Sequence, residues 1–201
     1  MKFDYIDPKD FKPITFVFTK NGREFHECYK KYICLKCNTF EWHKATLNGI
    51  NAIPKLPLKM PDFFLTSYLC AYVVSAKAKD VMTSVAREEA TFFPIPNFNS
   101  NFVLMPNRMI LPPDTMPLWQ DEEAKGSPFC SSGPKCEVCG TYPEIYLTMR
   151  DFFVPNDVSF AGIYLGGSGM TLVASRMVSE ELQKNKLNGI CIRKNAFANK
   201  K

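Results

Sequence analysis

Two Cys-x-x-Cys pairs, about a hundred residues apart, constrain this chain more than any other feature: Cys34-Leu35-Lys36-Cys37 and Cys136-Glu137-Val138-Cys139. Such a pair turns both sulfurs toward one tetrahedral ion while backbone N–H groups point at the thiolates, and the bend ends in a residue that tolerates positive φ. Asn38 follows the first pair and Gly140 the second, the two residue types that enter that region at least cost. Two knuckles together make a four-cysteine site for a single Zn2+. Four thiolates and the ion leave a charge of about −2, which Lys30, Lys31, Lys36 and Lys135 stand close enough in sequence to offset. A complete set of four protein ligands leaves no open position for water or substrate, so the expected role of the zinc is structural. A thioredoxin-like redox pair would need one motif opening a helix after a buried strand, and neither pair shows that pattern.

The chain has 201 residues, 46% of them hydrophobic and 22% charged, a balance that suits a folded domain able to bury a core without disulfides. Its N-terminus lacks the basic start and apolar run of a secretory signal, and no segment reaches the length of apolar residues that spans a bilayer. The expectation is a cytoplasmic protein with no membrane partner, whose eight cysteines stay reduced. A formal charge of +5 is too small to announce a nucleic-acid binder. Of the other cysteines, Cys70 and Cys191 lie in apolar runs and read as core. Cys28 and Cys130 each precede a knuckle by six residues; further ligands, a second ion or neither remain open, although that spacing is not a usual one for zinc. His26 and His43, the only histidines, flank the first knuckle and read as ordinary polar residues, since four cysteines already satisfy the ion.

Residues 14–19 read as a strand followed by an Asn21-Gly22 turn, and prolines 54, 57 and 61 mark 51–61 as an extended connector. Two segments share one plan. In the first, a strand over 69–74 leads through a Ser75 cap to a helix over 76–87 and a strand over 91–95, which Pro94 confines to a sheet edge. In the second, a strand over 171–174 leads through Ser175 to a helix over 176–185, a stop at Asn188-Gly189 and a strand over 190–193. Serine, basic and apolar positions match in register, as a degenerate duplication would leave them. Between them, 102–105 and 109–111 read as a hairpin, and 121–128 as a surface loop leading to the second knuckle. The fold class expected is α+β: a mixed sheet with strand-helix-strand units at about 63–96 and 158–195, and a four-cysteine zinc-ribbon-like element from about 28–45 and 128–145. An ion joining segments so far apart favours a single integrated domain over 1–201.

Gly166-Gly167-Ser168-Gly169 lacks the lysine and the following helix of a phosphate loop and reads as a turn. No Gly-x-Ser-x-Gly elbow is present, and the histidines sit only near the first knuckle, so a histidine-based nucleophilic centre has little support. The basic run from Lys184 onward could steer an acidic partner, and a solvated helix end and a frayed terminus explain it at least as well. Most of the 17 phenylalanines must be core, because such a chain could hardly expose them and stay soluble.

The start Met1-Lys2-Phe3, the two knuckles with Gly140 after the second, and the ending Leu172-Val173-Ala174-Ser175-Arg176 through Leu187-Asn188-Gly189-Ile190 resemble the double-CXXCG motif family of bacterial immunity proteins, known from myxobacteria. The resemblance covers most of the chain and departs from the family pattern at Asn38, where that pattern has glycine. It implies a non-catalytic antidote that binds and neutralises a cognate polymorphic toxin encoded nearby. Two other readings stand beside it: a zinc-ribbon nucleic-acid-binding module, motivated by the knuckle lysines, and a thiol enzyme using one Cys-x-x-Cys pair.

Overall fold

A computed structural model of the chain describes residues 2–9, 16–20, 23–24, 30–41, 51–54, 60–65, 72–95, 100–148, 154–155, 157–166 and 169–198. Its strands are β1 (Lys2–Pro8), β2 (Phe16–Lys20), β3 (Arg23–Glu24), β4 (Asn51–Pro54), β5 (Phe63–Leu65), β6 (Tyr72–Ser75), β7 (Ala90–Pro94) and β8 (Asn101–Pro106). They continue with β9 (Met109–Ile110), β10 (Phe129–Ser131), β11 (Ile145–Leu147), β12 (Phe160–Tyr164), β13 (Met170–Ser175) and β14 (Ile190–Ala198). Among the described residues the α-helices are α1 (Ala76–Ala86) and α2 (Arg176–Lys184).

The α+β class expected from sequence is the one observed, and the likeness of the two units goes deeper than their matching serines. The first unit forms a sheet in the order β5-β6-β8-β7, the second a sheet in the order β14-β1-β13-β12 with β9 added beyond β12. In each, a hairpin leads through a helix to a strand parallel to the hairpin's second member, and an antiparallel strand separates the two: β8 between β6 and β7, β1 between β13 and β14. Corresponding hydrogen bonds recur: Ser75 N–H donates to the Asp62 carbonyl (2.9 Å) and Ser175 N–H to the Ser159 carbonyl (2.7 Å). Contacts between the units are reciprocal. Asn188 N–H donates to Asp62 Oδ2 at 2.8 Å, while Ser159 N–H donates to Glu89 Oε1 at 3.0 Å. Helix packs on helix, β1 on β5 and β8 on β12, the arrangement of two like bodies around a local twofold. The difference lies in chain order: the inserted strand of the first unit follows its helix and edge strand, whereas that of the second is the start of the chain. Lys2 pairs beside Ala198 where the first unit has a loop joining β7 to β8.

One core is drawn from both sheets. Phe63, Val73, Val74 and Leu104 meet Ile6, Phe160, Leu172 and Ala174 through the buried stripes Ala78-Met82-Ala86 of α1 and Val178-Leu182 of α2. The four-residue spacing of those stripes puts each on one helix face, and every fully buried Leu or Phe contributes about 2 kcal/mol. β12 and β13 are buried at every position, because a second cluster covers the opposite face of the five-stranded sheet with Phe129 of β10 and Ile145 of β11. The β10–β11 pair, held against that sheet, is what positions the second knuckle. At Gly189 the backbone has φ 82°, and a Cβ there would lie 2.5 Å from the Phe63 carbonyl, so glycine permits a close backbone approach between the units.

Several expectations are corrected. Segments 102–105 and 109–111 form no hairpin: β9 runs parallel to β12, while β8 pairs with β6 and β7. The turn is pulled away by Asn107, whose N–H donates to the Glu89 carbonyl at 2.8 Å and whose side chain holds Glu88 and Thr91. Residues 51–54 are a strand antiparallel to β2, Pro54 standing at its end where a missing N–H costs least. Within 121–128, Glu122–Lys125 form a short 3-10 helix. Ser75 caps α1, accepting from Ala78 N–H at 3.1 Å, but the buried Ser175 hydroxyl makes no cap bond to α2. Cys191 is exposed, since the alternation along β14 points Ile190 and Ile192 inward instead. Cys70 lies outside the described residues. Pro94 does sit on an edge strand; of the turn expected at 166–169, Gly166 (φ 68°) and Gly169 (φ 97°) are described, with Gly169 N–H donating to the Gly166 carbonyl at 3.1 Å, while 167 and 168 lie outside the described residues. The basic tail is partly neutralised in place, Lys184 by Glu181 and Arg193 by Asp7.

The start of β1 is tied to α2 by a fully buried carboxylate. Asp4 accepts from Arg176 Nε at 3.2 Å and from the Ser179 hydroxyl. Removing one partner of such a buried pair strands the other, so Asp4→Ala should lower unfolding free energy by about 3 kcal/mol in a urea titration; a loss within error of zero would show that the inserted strand is held by its ladder alone.

Candidate metal centre

The first knuckle follows a short 3-10 helix at Lys30–Tyr32 and is closed by an antiparallel bridge between Ile33 and Phe40. Phe40 is buried in the main core, edge-on to Tyr32, and its carbonyl accepts from the Tyr164 hydroxyl of β12 at 3.4 Å. The second knuckle is the connection between β10 and β11. Ser132 N–H donates to the Glu144 carbonyl at 3.1 Å, and Glu144 bridges to Gly166 at the β12–β13 turn. Each knuckle is thus mounted on the same sheet by a different route.

The two are near copies of each other. Cys34 N–H donates to the Thr39 carbonyl (3.1 Å) and Asn38 N–H to the Cys34 carbonyl (2.8 Å); Cys136 N–H donates to the Thr141 carbonyl (2.8 Å) and Gly140 N–H to the Cys136 carbonyl (2.8 Å). Asn38 has φ 55° and Gly140 φ 69°, the left-handed turn that their residue types led us to expect. The sulfurs of Cys34, Cys37, Cys136 and Cys139 all lie within 4.8 Å of one another and can hold one metal ion. Across the knuckles, Cys34 Sγ is 3.9 Å from Cys136 Sγ and Cys37 Sγ 3.6 Å from Cys139 Sγ. These separations are far beyond the ~2.05 Å of a disulfide, and all four cysteines are free.

Two further residues complete the site. Cys37 Sγ donates to Thr39 Oγ1 at 3.2 Å, and Thr141 Oγ1 lies 2.8 Å from Cys139 Sγ, where either group can donate; an ionised sulfur at either place would instead accept from its threonine hydroxyl. The sequence carries the signal for them: both knuckles read Cys-x-x-Cys-[Asn or Gly]-Thr, a repeat visible once the motifs are aligned two residues further on.

The protonation of the four thiols is uneven. N–H groups of Cys139 and Val138 aimed at Cys136 bring its thiol down to about 6, and those of Cys37 and Lys36 lower Cys34 in the same way. Burial pushes Cys139 up to about 11 despite its Thr141 contact. Around the rim the lysines meet acids rather than sulfur: Lys36 pairs with Glu137 across the knuckles, and Lys135 Nζ lies 3.1 Å from Asp114 Oδ1. Both pairs are exposed and contribute little to stability. Cys130 is buried on β10, its thiol raised by burial, and stands apart from the four. Cys28, His26 and His43 lie outside the described residues.

Family models, curated proteins and solved structures yield no match to the chain.

Metal binding and proton release are coupled here. At pH 7 the metal-free protein carries a protonated Cys139 and an ionised Cys136, so metal uptake should release protons, and affinity should fall as pH drops through about 6 and Cys136 is protonated. Calorimetry in buffers of different ionisation enthalpy measures the release. In parallel, metal loading should protect all four thiols from alkylation at pH 7, with Cys136 the first to react after chelation. Equal labelling of loaded and stripped protein would remove the metal centre.

Proposed function

We propose that the centre holds one structural Zn2+ on Cys34, Cys37, Cys136 and Cys139, and that the protein is a non-catalytic immunity protein that binds and neutralises a cognate toxin in the cytoplasm. The observation that carries the first part is the spacing of the sulfurs. A zinc–sulfur bond of about 2.3 Å sets the edge of a regular tetrahedron at about 3.8 Å, and the cross-knuckle separations are 3.6 and 3.9 Å. All-thiolate tetrahedral sites select zinc or iron among the common metals; with every position taken by protein, the ion ties the chain together and does no chemistry of its own. The described helices include none long and apolar enough to cross a membrane.

Cys34→Ser or Cys139→Ser should lose the zinc, read by elemental analysis, and lower the melting temperature markedly, because structural zinc supplies on the order of 10 kcal/mol of binding free energy. A variant with full zinc content and unchanged melting would end the zinc assignment.

The immunity reading rests on the resemblance in motif order and chain ending, joined to a scaffold whose metal serves rigidity. It is tested by growth of a host expressing the toxin-like reading frame beside this gene, with and without this protein. Rescue that depends on co-expression is the expected result; toxicity that persists at full expression of soluble, zinc-loaded protein would reject the reading.

A further inference from the structure

The fold sets the sulfurs of one knuckle against those of the other. Cys37 Sγ lies 3.6 Å from Cys139 Sγ and Cys34 Sγ 3.9 Å from Cys136 Sγ. From either separation a disulfide of about 2.05 Å is an approach of less than about 2 Å, within what side-chain rotation gives while the backbone turns stay in place. Those turns are fixed: Asn38 and Gly140 each donate to the carbonyl of the first cysteine of their own knuckle at 2.8 Å. Both knuckles are held on the five-stranded sheet, through the Tyr164–Phe40 and Glu144–Gly166 contacts. Each sulfur therefore meets the other knuckle at an effective concentration that an unfolded chain, closing a loop of 102 residues, would not provide.

Access singles out one pair. Cys34 is buried, whereas Cys37 and Cys139 are both half-buried. Cys139 also borders a cleft of about 170 Å³ walled by Leu111, Pro112, Tyr142 and Tyr164. A void of roughly 15 Å³ is enough to hold one water, and hydrogen peroxide is larger by a single oxygen. A bound ion keeps its four ligands as thiolates, the form that attacks peroxide.

We propose that Cys37 and Cys139 are a peroxide-oxidisable pair whose disulfide takes over from the metal ion as the link between the knuckles. One thiolate attacks a peroxide oxygen and breaks the O–O bond, giving a sulfenic acid and hydroxide. The facing thiolate then attacks that sulfur, forming the S–S bond and displacing a second hydroxide. Two electrons pass from the sulfur pair to the peroxide, and the ion, left with two protein ligands, departs. Cys34 and Cys136 can follow with a second peroxide. A disulfide within either knuckle would instead leave the two segments untied. Oxidation across the knuckles expels the metal and keeps the long loop closed, and a dithiol reverses it. The inference rests on the zinc reading only for the identity of the ion expelled, and it is independent of the immunity reading.

The test treats purified protein, its metal content measured, with excess hydrogen peroxide and samples it over time, since coordination slows the attack. Released zinc is followed with a chromogenic chelator, and remaining thiols are capped with N-ethylmaleimide in denaturant. Lys36 lies between Cys34 and Cys37 and Glu137 between Cys136 and Cys139. Trypsin with a glutamyl endopeptidase therefore puts each of the four on its own peptide, and mass spectrometry of the unreduced digest identifies every pairing. A Cys37–Cys139 link should appear first, in step with release of one zinc, and equally in Cys191→Ser, which removes the exposed thiol of β14. The oxidised, metal-free protein should melt above protein that has been reduced and chelated, and dithiothreitol with zinc should restore the loaded form. Any other pairing ahead of Cys37–Cys139, sulfonic acids without a disulfide, a link lost in Cys191→Ser, or melting no higher than that of the chelated protein would overturn the inference. Purified protein without zinc would reject the zinc assignment, and the disulfide map would still decide the inference.

Discussion

The convergence of four thiol sulfurs from segments 102 residues apart is the constraint that gives the rest of this structure its purpose. The two knuckles are short, and among the described residues the first contributes Phe40, Tyr32 and Ile33 to the common core. Bringing them within bonding reach of one ion requires a scaffold that holds both ends still. The five-stranded sheet supplies it: Tyr164 of β12 reaches the first knuckle through the Phe40 carbonyl, and the β12–β13 turn meets the second through the Glu144–Gly166 bridge. Closing so long a loop with an ion restricts the unfolded chain more than a local knuckle would.

The two strand-helix-strand units explain how that scaffold is built from little material. Each sheet turns one face toward the other, and through α1 and α2 the two faces share one core. Their reciprocal contacts, Asp62 with Asn188 and Glu89 with Ser159, are what a local twofold requires, since every contact made by one body on the other occurs twice. The symmetry stops at the segments that carry the four cysteines. Only the second unit is covered on its outer face by β10 and β11, and only it carries β9 on its edge. The functional asymmetry of the molecule is therefore an addition to a nearly symmetric frame.

What the sequence made legible was chemistry tied to local residues. The knuckles, their left-handed turns at Asn38 and Gly140, both helices and the edge position of Pro94 follow from spacing and backbone preference, and the structure has them all. What it hid were decisions made by distant groups. Asn107 sends the chain after β8 to another sheet because Glu88, Glu89 and Thr91 bind it, and no local signal distinguishes that turn from a hairpin's. Ser75 and Ser175 look alike in sequence, yet only the first caps its helix. Cys191 passes for core in an apolar run until β1 fixes which alternate positions face inward. Thr39 and Thr141 are written in both motifs one residue past the turn, where the spacing of the cysteines alone gives them no role.

The electrostatics of the centre follow from the same geometry. The first cysteine of each knuckle receives the backbone N–H groups that follow it, which favour its thiolate, while burial favours the protonated form of Cys139. An arriving ion would therefore meet Cys34 and Cys136, one from each knuckle, before it displaces the proton of Cys139. The first bonds formed would therefore link the two knuckles that the sheet already holds side by side.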